Sequence, residues 1–293
     1  MRAGQGARRL GSSARHTLAT WAATPGAAPG YEFEISRPNK QCLVCAGEHL
    51  RRRQLAYSGD PTLTCRTRRC LDCGFVTIVR SESGKYREIT SFEDLPRGRR
   101  AGTVDRPGRE FQMGRMGLEI LAAEAPDVLL YGVGSSMDNL HLEKLGRTGM
   151  VGVGDIMQVR SDEHFFDISR PAEQRFDLVI ASEVIEHFRT PRPDFRHMLD
   201  YVEDDGLLIC GTDINDGYSE LRKHRYIFYP DHTSYYTPEA LAVIARAEGW
   251  LVDFRAVGRG RKRYVFLSRS RDVMDRVALY FGHHALAPME SSG

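Results

Sequence analysis

Four cysteines in two Cys-x-x-Cys pairs, Cys42/Cys45 and Cys70/Cys73, carry the clearest chemical signature in this chain. The pairs stand about two dozen residues apart, which is zinc-ribbon spacing. Each pair forms a tight knuckle, and Gly74 relieves the backbone of the second. Four thiolates fill a tetrahedral zinc, so the metal is expected to be structural and not catalytic. Cys65 lies off the knuckle pattern as a substitute ligand, and Cys210, in an apolar run, reads as core.

A second group of polar residues follows apolar runs. Residues 177–187, Asp-Leu-Val-Ile-Ala-Ser-Glu-Val-Ile-Glu-His, read as a buried parallel strand opening into a polar patch. Ligands in open α/β sheets bind beyond the carboxyl ends of such strands, which places Ser182, Glu183, Glu186 and His187 at a cleft mouth. His187 and His232 are candidate general bases, because an imidazole titrates near neutrality. The competing reading of each is a histidine that caps a helix or orders a loop. Glu183 reads as pocket wall, and Glu186 as the partner of an arginine on a solvated face. Tyr226, Phe228, Tyr229, Tyr235 and Tyr236 surround His232 in sequence, as pocket lining or as the packing of a long loop.

The elements that position these groups alternate. Strand 128–131 leads into a glycine loop (Gly132, Gly134) and a helix near 137–145. Strand 150–153 ends in Gly154-Asp155, and a short element spans 164–167. Strand 177–181 precedes a helix from about 193, with Phe195, Met198, Leu199 and Val202 at helical spacing. Strand 207–211 follows Asp205-Gly206. Thr237-Pro238-Glu239 opens a helix with a cap residue and a first-position proline. Strands 251–257 and 263–269, joined by a short loop, pair antiparallel. The expected architecture is α/β: a Rossmann-like, doubly wound, seven-stranded sheet with a small N-terminal zinc-ribbon module. The expected division is a disordered tail or transit peptide over 1–30, the module over 31–85, a linker and leading helix over 86–125, the main domain over 126–272 and a C-terminal tail over 273–293.

The net charge of +2 gives no global argument for nucleic acid. No apolar stretch reaches the roughly 20 residues that span a bilayer. There is no secretory hydrophobic segment, so the expected compartment is the cytoplasm, where six cysteines do not make a disulfide framework. A dinucleotide fingerprint lacks its third glycine, since Met137 stands there, and a Walker A loop lacks Gly-Lys-Ser/Thr.

From about 110 to 270 the chain resembles the class I S-adenosylmethionine-dependent methyltransferases. Tyr131-Gly-Val-Gly-Ser-Ser136 is similar to the first motif of that family, although Tyr131 replaces its usual acid and Ser136 its third glycine. Asp155 resembles the acid that binds the ribose hydroxyls. Phe166-Asp167 resembles the pair flanking the adenine. Phe176 through His187 is similar to the fourth-strand motif, Glu203 through Thr212 to the turn into the fifth strand, and His232 through Leu241 to a segment of the small-molecule branch. The resemblance implies S-adenosylmethionine as cofactor. It implies Tyr131, Gly132, Gly134, Ser135, Ser136, Asp155, Ile156, Phe166, Asp167, Ser182 and Glu183 as its contacts. It implies methyl transfer to a small-molecule acceptor, a sugar or secondary metabolite, at oxygen or carbon. Two alternatives stay open. One is an RNA methyltransferase gripping its substrate through ribbon arginines (Arg51, Arg52, Arg53, Arg66, Arg68, Arg69). The other is a non-catalytic module with a decayed cofactor site.

Overall fold

The computed structural model describes residues 40–79, 91–95, 97–157, 159–215, 220–257 and 261–282. The expected tail over 1–30 lies outside the described residues, as do 283–293 and most of the loop joining the two last strands.

The N-terminal part forms β1 (Leu50–Tyr57), β2 (Asp60–Cys70) and β3 (Val76–Val79), all antiparallel. The chain then supplies α1 (Arg109–Leu121), β4 (Val128–Tyr131), α2 (Asp138–Glu143), β5 (Val151–Asp155), β6 (Phe165–Asp167), β7 (Phe176–Ser182), α3 (Pro191–Leu199) and β8 (Val202–Asp213). It ends with β9 (Ser234–Tyr235), α4 (Pro238–Ala247), β10 (Leu251–Ala256), β11 (Lys262–Ser268) and α5 (Arg271–Tyr280). The main sheet has the order β10-β11-β8-β7-β4-β5-β6. β11 alone runs antiparallel to its neighbours, β8 and β10.

β4 sits inside the sheet, between β7 and β5, because every residue in it is buried and apolar in bulk. Its side chains alternate between two cores. Val128 and Leu130 face a core shared with α1, α2 and α5, and Leu129 and Tyr131 face one shared with α3 and α4. Each fully buried Leu or Val contributes about 1.5–3 kcal/mol relative to exposure. Tyr131 therefore packs edge-on against Tyr201, at 5.7 Å between ring centroids, and the core occupies a position where the family carries an acid. In register, Tyr131 pairs Gly154 on one side and Ala181 on the other. The chain leaves β4 for β5 on one side and reaches β7 on the other, so a crevice opens between these strand ends.

Two differences from the sequence reading matter. The first part of the expected tail over 273–293 is helix: α5 buries Val273, Met274 and Val277 on the sheet face that α1 leaves open. The module is also not separate. β9, a two-residue strand from the far end of the chain, pairs with β3 and completes a four-stranded sheet. Thr237 caps α4 by accepting from the Ala240 amide at 3.1 Å, and its hydroxyl donates to the Cys73 carbonyl at 2.6 Å. The second knuckle thus rests on the first turn of α4.

Candidate active site

The turn after β4 is held by amides that reach across to β5. Gly132 N–H donates to the Gly154 carbonyl at 2.8 Å. Gly134 N–H donates to Asp155 Oδ2 at 2.8 Å, and Met157 N–H to Oδ1 at 3.1 Å. Burial pushes the Asp155 carboxyl above the usual carboxylate range, partly offset by these amides. Gly132 and Gly134 have φ of +67° and +53°, which glycine alone adopts without strain. A side chain at Gly134 would meet nothing within 4 Å, so the space above the loop is open. A Cβ on Gly132 would lie 2.8 Å from Val184. Gly132→Ala is therefore expected to destabilise the fold by about 1–3 kcal/mol through left-handed strain and that collision. Urea unfolding measures it, and an unchanged midpoint would contradict the packing described.

Residues 97–108 strap the loop in place, a role invisible in a stretch that reads as linker. Gly102 N–H donates to Ser136 Oγ at 3.3 Å, and Ser136 Oγ donates to buried Glu110 at 3.1 Å. Asp138, wholly buried, accepts from the amides of Gly108 at 2.7 Å and Phe111 at 3.0 Å. Arg160 braces the loop from beneath through the carbonyls of Gly134 and Ser136 while paired with Asp162 at 2.6 Å. Its context is irregular loop, so periodicity gives no warning of it.

The remaining expected cofactor residues line the same strand ends. Ile156 and Ser135 are half-buried beside the loop. Asp167 is paired in register with Asp155. Its carboxylate is engaged by the Ser169 amide and hydroxyl and by Arg170 at 2.9 Å. Phe166 stacks edge-on with Phe176 at 5.1 Å. Ser182 is buried with its hydroxyl unpartnered among the described residues. Glu183, at φ +57°, turns its carboxylate to Lys262 and to Arg109 at 3.4 Å. Burial and the neighbouring Arg109 and Arg100 lower Lys262 to about 7. Neither Arg109 nor Lys262 stands out in the sequence, because the sheet brings them together from distant segments.

On the opposite wall the sequence reading of Glu186 needs correction. Glu186 is not on a solvated face: it is wholly buried, and burial raises it to about 7. Thr212 Oγ1 donates to its Oε2 at 3.3 Å and lies 2.6 Å from the Tyr226 hydroxyl. His187 and His232 do come together, with ring centroids 5.0 Å apart and perpendicular. Burial lowers the pKa of His187, opposed by Asp231. Tyr226 and Tyr229 pack on the His232 ring at 4.3 and 5.2 Å. Tyr235 and Tyr236 are instead fully buried in the fold, Tyr236 through a hydroxyl bond to the Ile185 carbonyl at 3.1 Å. Phe228 packs against Tyr57 of the ribbon at 5.4 Å.

The four knuckle cysteines converge. Cys42 and Cys73 sulfurs are 3.6 Å apart, Cys45 and Cys70 3.5 Å, and all four lie within 4.8 Å of one another. Tetrahedral zinc with bonds of about 2.3 Å sets its sulfurs roughly 3.8 Å apart, so the donor set fits that metal. The hydrogen bond from Cys73 pulls the Cys42 thiol down to about 5, and the same bond pushes Cys73 up. Cys65 lies elsewhere, in the core between ribbon and loop 220–236.

The strand order, the single antiparallel strand and the glycine turn facing an acid at the next strand end define a class I methyltransferase fold. A family model described as a methyltransferase domain matches residues 112–253, and this stretch of the chain is a methyltransferase domain. It is similar to the Burkholderia thailandensis 1,6-didemethyltoxoflavin-N1-methyltransferase, over 54% of this chain and 76% of that one, at 16% identity and a TM-score of 0.41. It is similar to a Bacteroides fragilis S-adenosylmethionine-dependent methyltransferase over 52% and 76%, at 15% identity and a TM-score of 0.40. A glycopeptide N-methyltransferase aligns over 55% of this chain and 91% of its own, at 12% identity and 0.41. No curated protein matches the chain. Among the described residues no helix is long and apolar enough to cross a membrane.

Proposed function

We propose that the protein moves the methyl group of S-adenosylmethionine to a small-molecule acceptor, a sugar or secondary metabolite, at oxygen or carbon. The observation that carries this reading is the clustering of His187, His232, Tyr226 and Tyr229 around buried Glu186, just past the carboxyl end of β7. A compact group of aromatic rings and polar side chains suits a small acceptor.

The cofactor half follows from the strand ends. Gly132 and Gly134 keep the turn free of side chains so that the methionine end of the cofactor can approach it, and Tyr131, Ser135 and Ser136 contribute backbone to that turn. Asp155 accepts the ribose hydroxyls, Ile156, Phe166 and Asp167 flank the adenine, and Ser182 and Glu183 close the side nearest the sulfonium. The leaving group is already activated, so alignment supplies most of the acceleration. The acceptor's proton leaves at the His187–His232 pair. Zinc held by Cys42, Cys45, Cys70 and Cys73 would fix the knuckles and supply no chemistry to the transfer. Free thiols of this kind suit the reducing cytoplasm.

His187→Ala and His232→Ala are each expected to lower kcat about 100-fold or more while cofactor affinity stays near wild type. Mass spectrometry of sugars and phenolic metabolites incubated with the enzyme and cofactor reads the product as an added methyl. Absence of cofactor binding by calorimetry at millimolar concentration would overturn the function itself. Full turnover in either variant would remove that histidine from the reaction.

A further inference from the structure

The acceptor wall has the donor set of a metal site. Glu186, His187 and His232 bring one ligand atom each to within 4.8 Å of the others. Bonds of about 2.1 Å to a common ion would close that triangle with small side-chain rotations. Glu186 Oε1 is buried and has no hydrogen-bond partner among the described residues, whereas Oε2 accepts from Thr212. A carboxylate oxygen taken out of water without a partner is costly unless a cation or proton meets it. The neighbouring guanidinium of Arg109 is already engaged by Glu110 and Glu183.

The outer partners have the arrangement that metal ligands need. His187 Nδ1 lies 3.2 Å from the Asp231 carbonyl oxygen and 3.6 Å from the Asp231 carboxylate. A proton on Nδ1 donated there leaves the lone pair on Nε2. Thr212 and Tyr226 orient the Glu186 carboxylate in the same way that outer groups orient ligating carboxylates. Three protein ligands leave a coordination position for a substrate.

We propose that Glu186, His187 and His232 bind a divalent transition-metal cation whose open position takes an acceptor oxygen. Two imidazoles and one carboxylate favour zinc, cobalt, nickel or iron over magnesium or calcium. A hydroxyl on such an ion loses its proton more readily, and that proton passes to solvent past half-exposed Asp231. The oxygen lone pair then forms the new O–C bond as the sulfonium C–S bond breaks, and the sulfur keeps that electron pair. The two rings then promote the same deprotonation by holding the ion and not by taking the proton themselves. The proposal rests on the reading of this wall as the acceptor side.

Titration of the full chain with cobalt separates the two metal sites. Cobalt in the cysteine cluster gives an intense thiolate charge-transfer band, and cobalt at Glu186/His187/His232 gives only weak visible bands. The wild type is expected to bind two equivalents, the second without added charge transfer. Glu186→Gln and His232→Ala are each expected to lose that second equivalent and keep the first. Zinc content by elemental analysis should fall from two to one in the same variants. Identical stoichiometry in wild type and both variants, or a single thiolate-bound equivalent in wild type, would overturn the proposal. Calorimetry with S-adenosylmethionine on the same samples reports folding and the methyltransferase reading separately. Normal cofactor binding without the second equivalent would remove the cation and leave the transfer reaction standing.

Discussion

Cys73→Ser is expected to abolish metal binding at the ribbon and to lower the unfolding temperature of the whole chain. Structural zinc sites contribute apparent binding free energies of about 10 kcal/mol or more, comparable with the full stability of a domain. The effect should not stop at the ribbon, because its edges are shared. Thr237, the cap of α4, donates to the Cys73 carbonyl at 2.6 Å. Ile78 N–H donates to the Thr233 carbonyl at 2.8 Å, and β3 pairs with β9. Cys65, Val76 and Ile78 of the ribbon share a core with Tyr226, Ile227 and Phe228. Thr233 also donates to the Phe188 carbonyl at 2.9 Å, so it links the ribbon edge to the turn that carries His187. Loss of the metal should therefore disturb His232 and the acceptor wall before it reaches Asp155, which belongs to the other side of the crevice. The expected order is visible as a rise in KM for the acceptor at temperatures where cofactor affinity is still normal. Thermal unfolding with parallel zinc analysis checks the stability effect. A Cys73→Ser chain that melts with the wild type would show that the knuckles stand without metal.

The main sheet was legible because parallel strands buried on both faces read as apolar runs, and β4, β7 and the second half of β8 do so. Helix α4 was legible from Thr237 and Pro238, whose cap bond the structure contains. Asp155 was legible because it ends a strand beside a glycine turn. What escaped depends on contacts between distant segments. β9 is two residues long and has no period, yet it joins the ribbon to the segment that carries His232. Thr237 meets Cys73 across 164 positions. Glu186 looked like a surface acid because the two residues after it are also polar or aromatic. Its burial comes from Thr212 and Tyr226, which strand β8 and the loop 220–236 fold over it. The strap at 97–108 is basic and poor in periodic apolar residues, but its backbone finds Ser136 and Asp138. Such segments are held by hydrogen bonds to side chains, which hydropathy does not register.

Asp155→Ala is expected to weaken S-adenosylmethionine binding by about 100-fold, with a smaller change in unfolding temperature. Two ribose hydroxyls donating to a buried carboxylate are worth about 1.5–3 kcal/mol each, and about 2.7 kcal/mol in total already gives a factor of 100. The same carboxylate also holds the glycine turn through Gly134 and Met157, so the alanine form loses the shape of the site as well as the acceptor oxygens. The pH dependence separates these contributions. Burial raises the Asp155 carboxyl, so the native state keeps a proton there at pH values where the unfolded chain has released it. Between the ordinary and the raised value the folded state binds more protons, and this group's contribution to stability falls as pH rises. Cofactor binding should run the opposite way, since only the ionised carboxylate accepts both hydroxyls. Affinity is expected to fall as pH is lowered into the raised range of Asp155, beginning above the ordinary carboxylate value of about 4. Calorimetric titration across that range should show the fall in wild type and a flat profile in Asp155→Asn, already weak at neutral pH. An Asp155→Asn chain that binds the cofactor as tightly as wild type would move the ribose to another acid, and Asp167, its register neighbour on β6, would be the next to test.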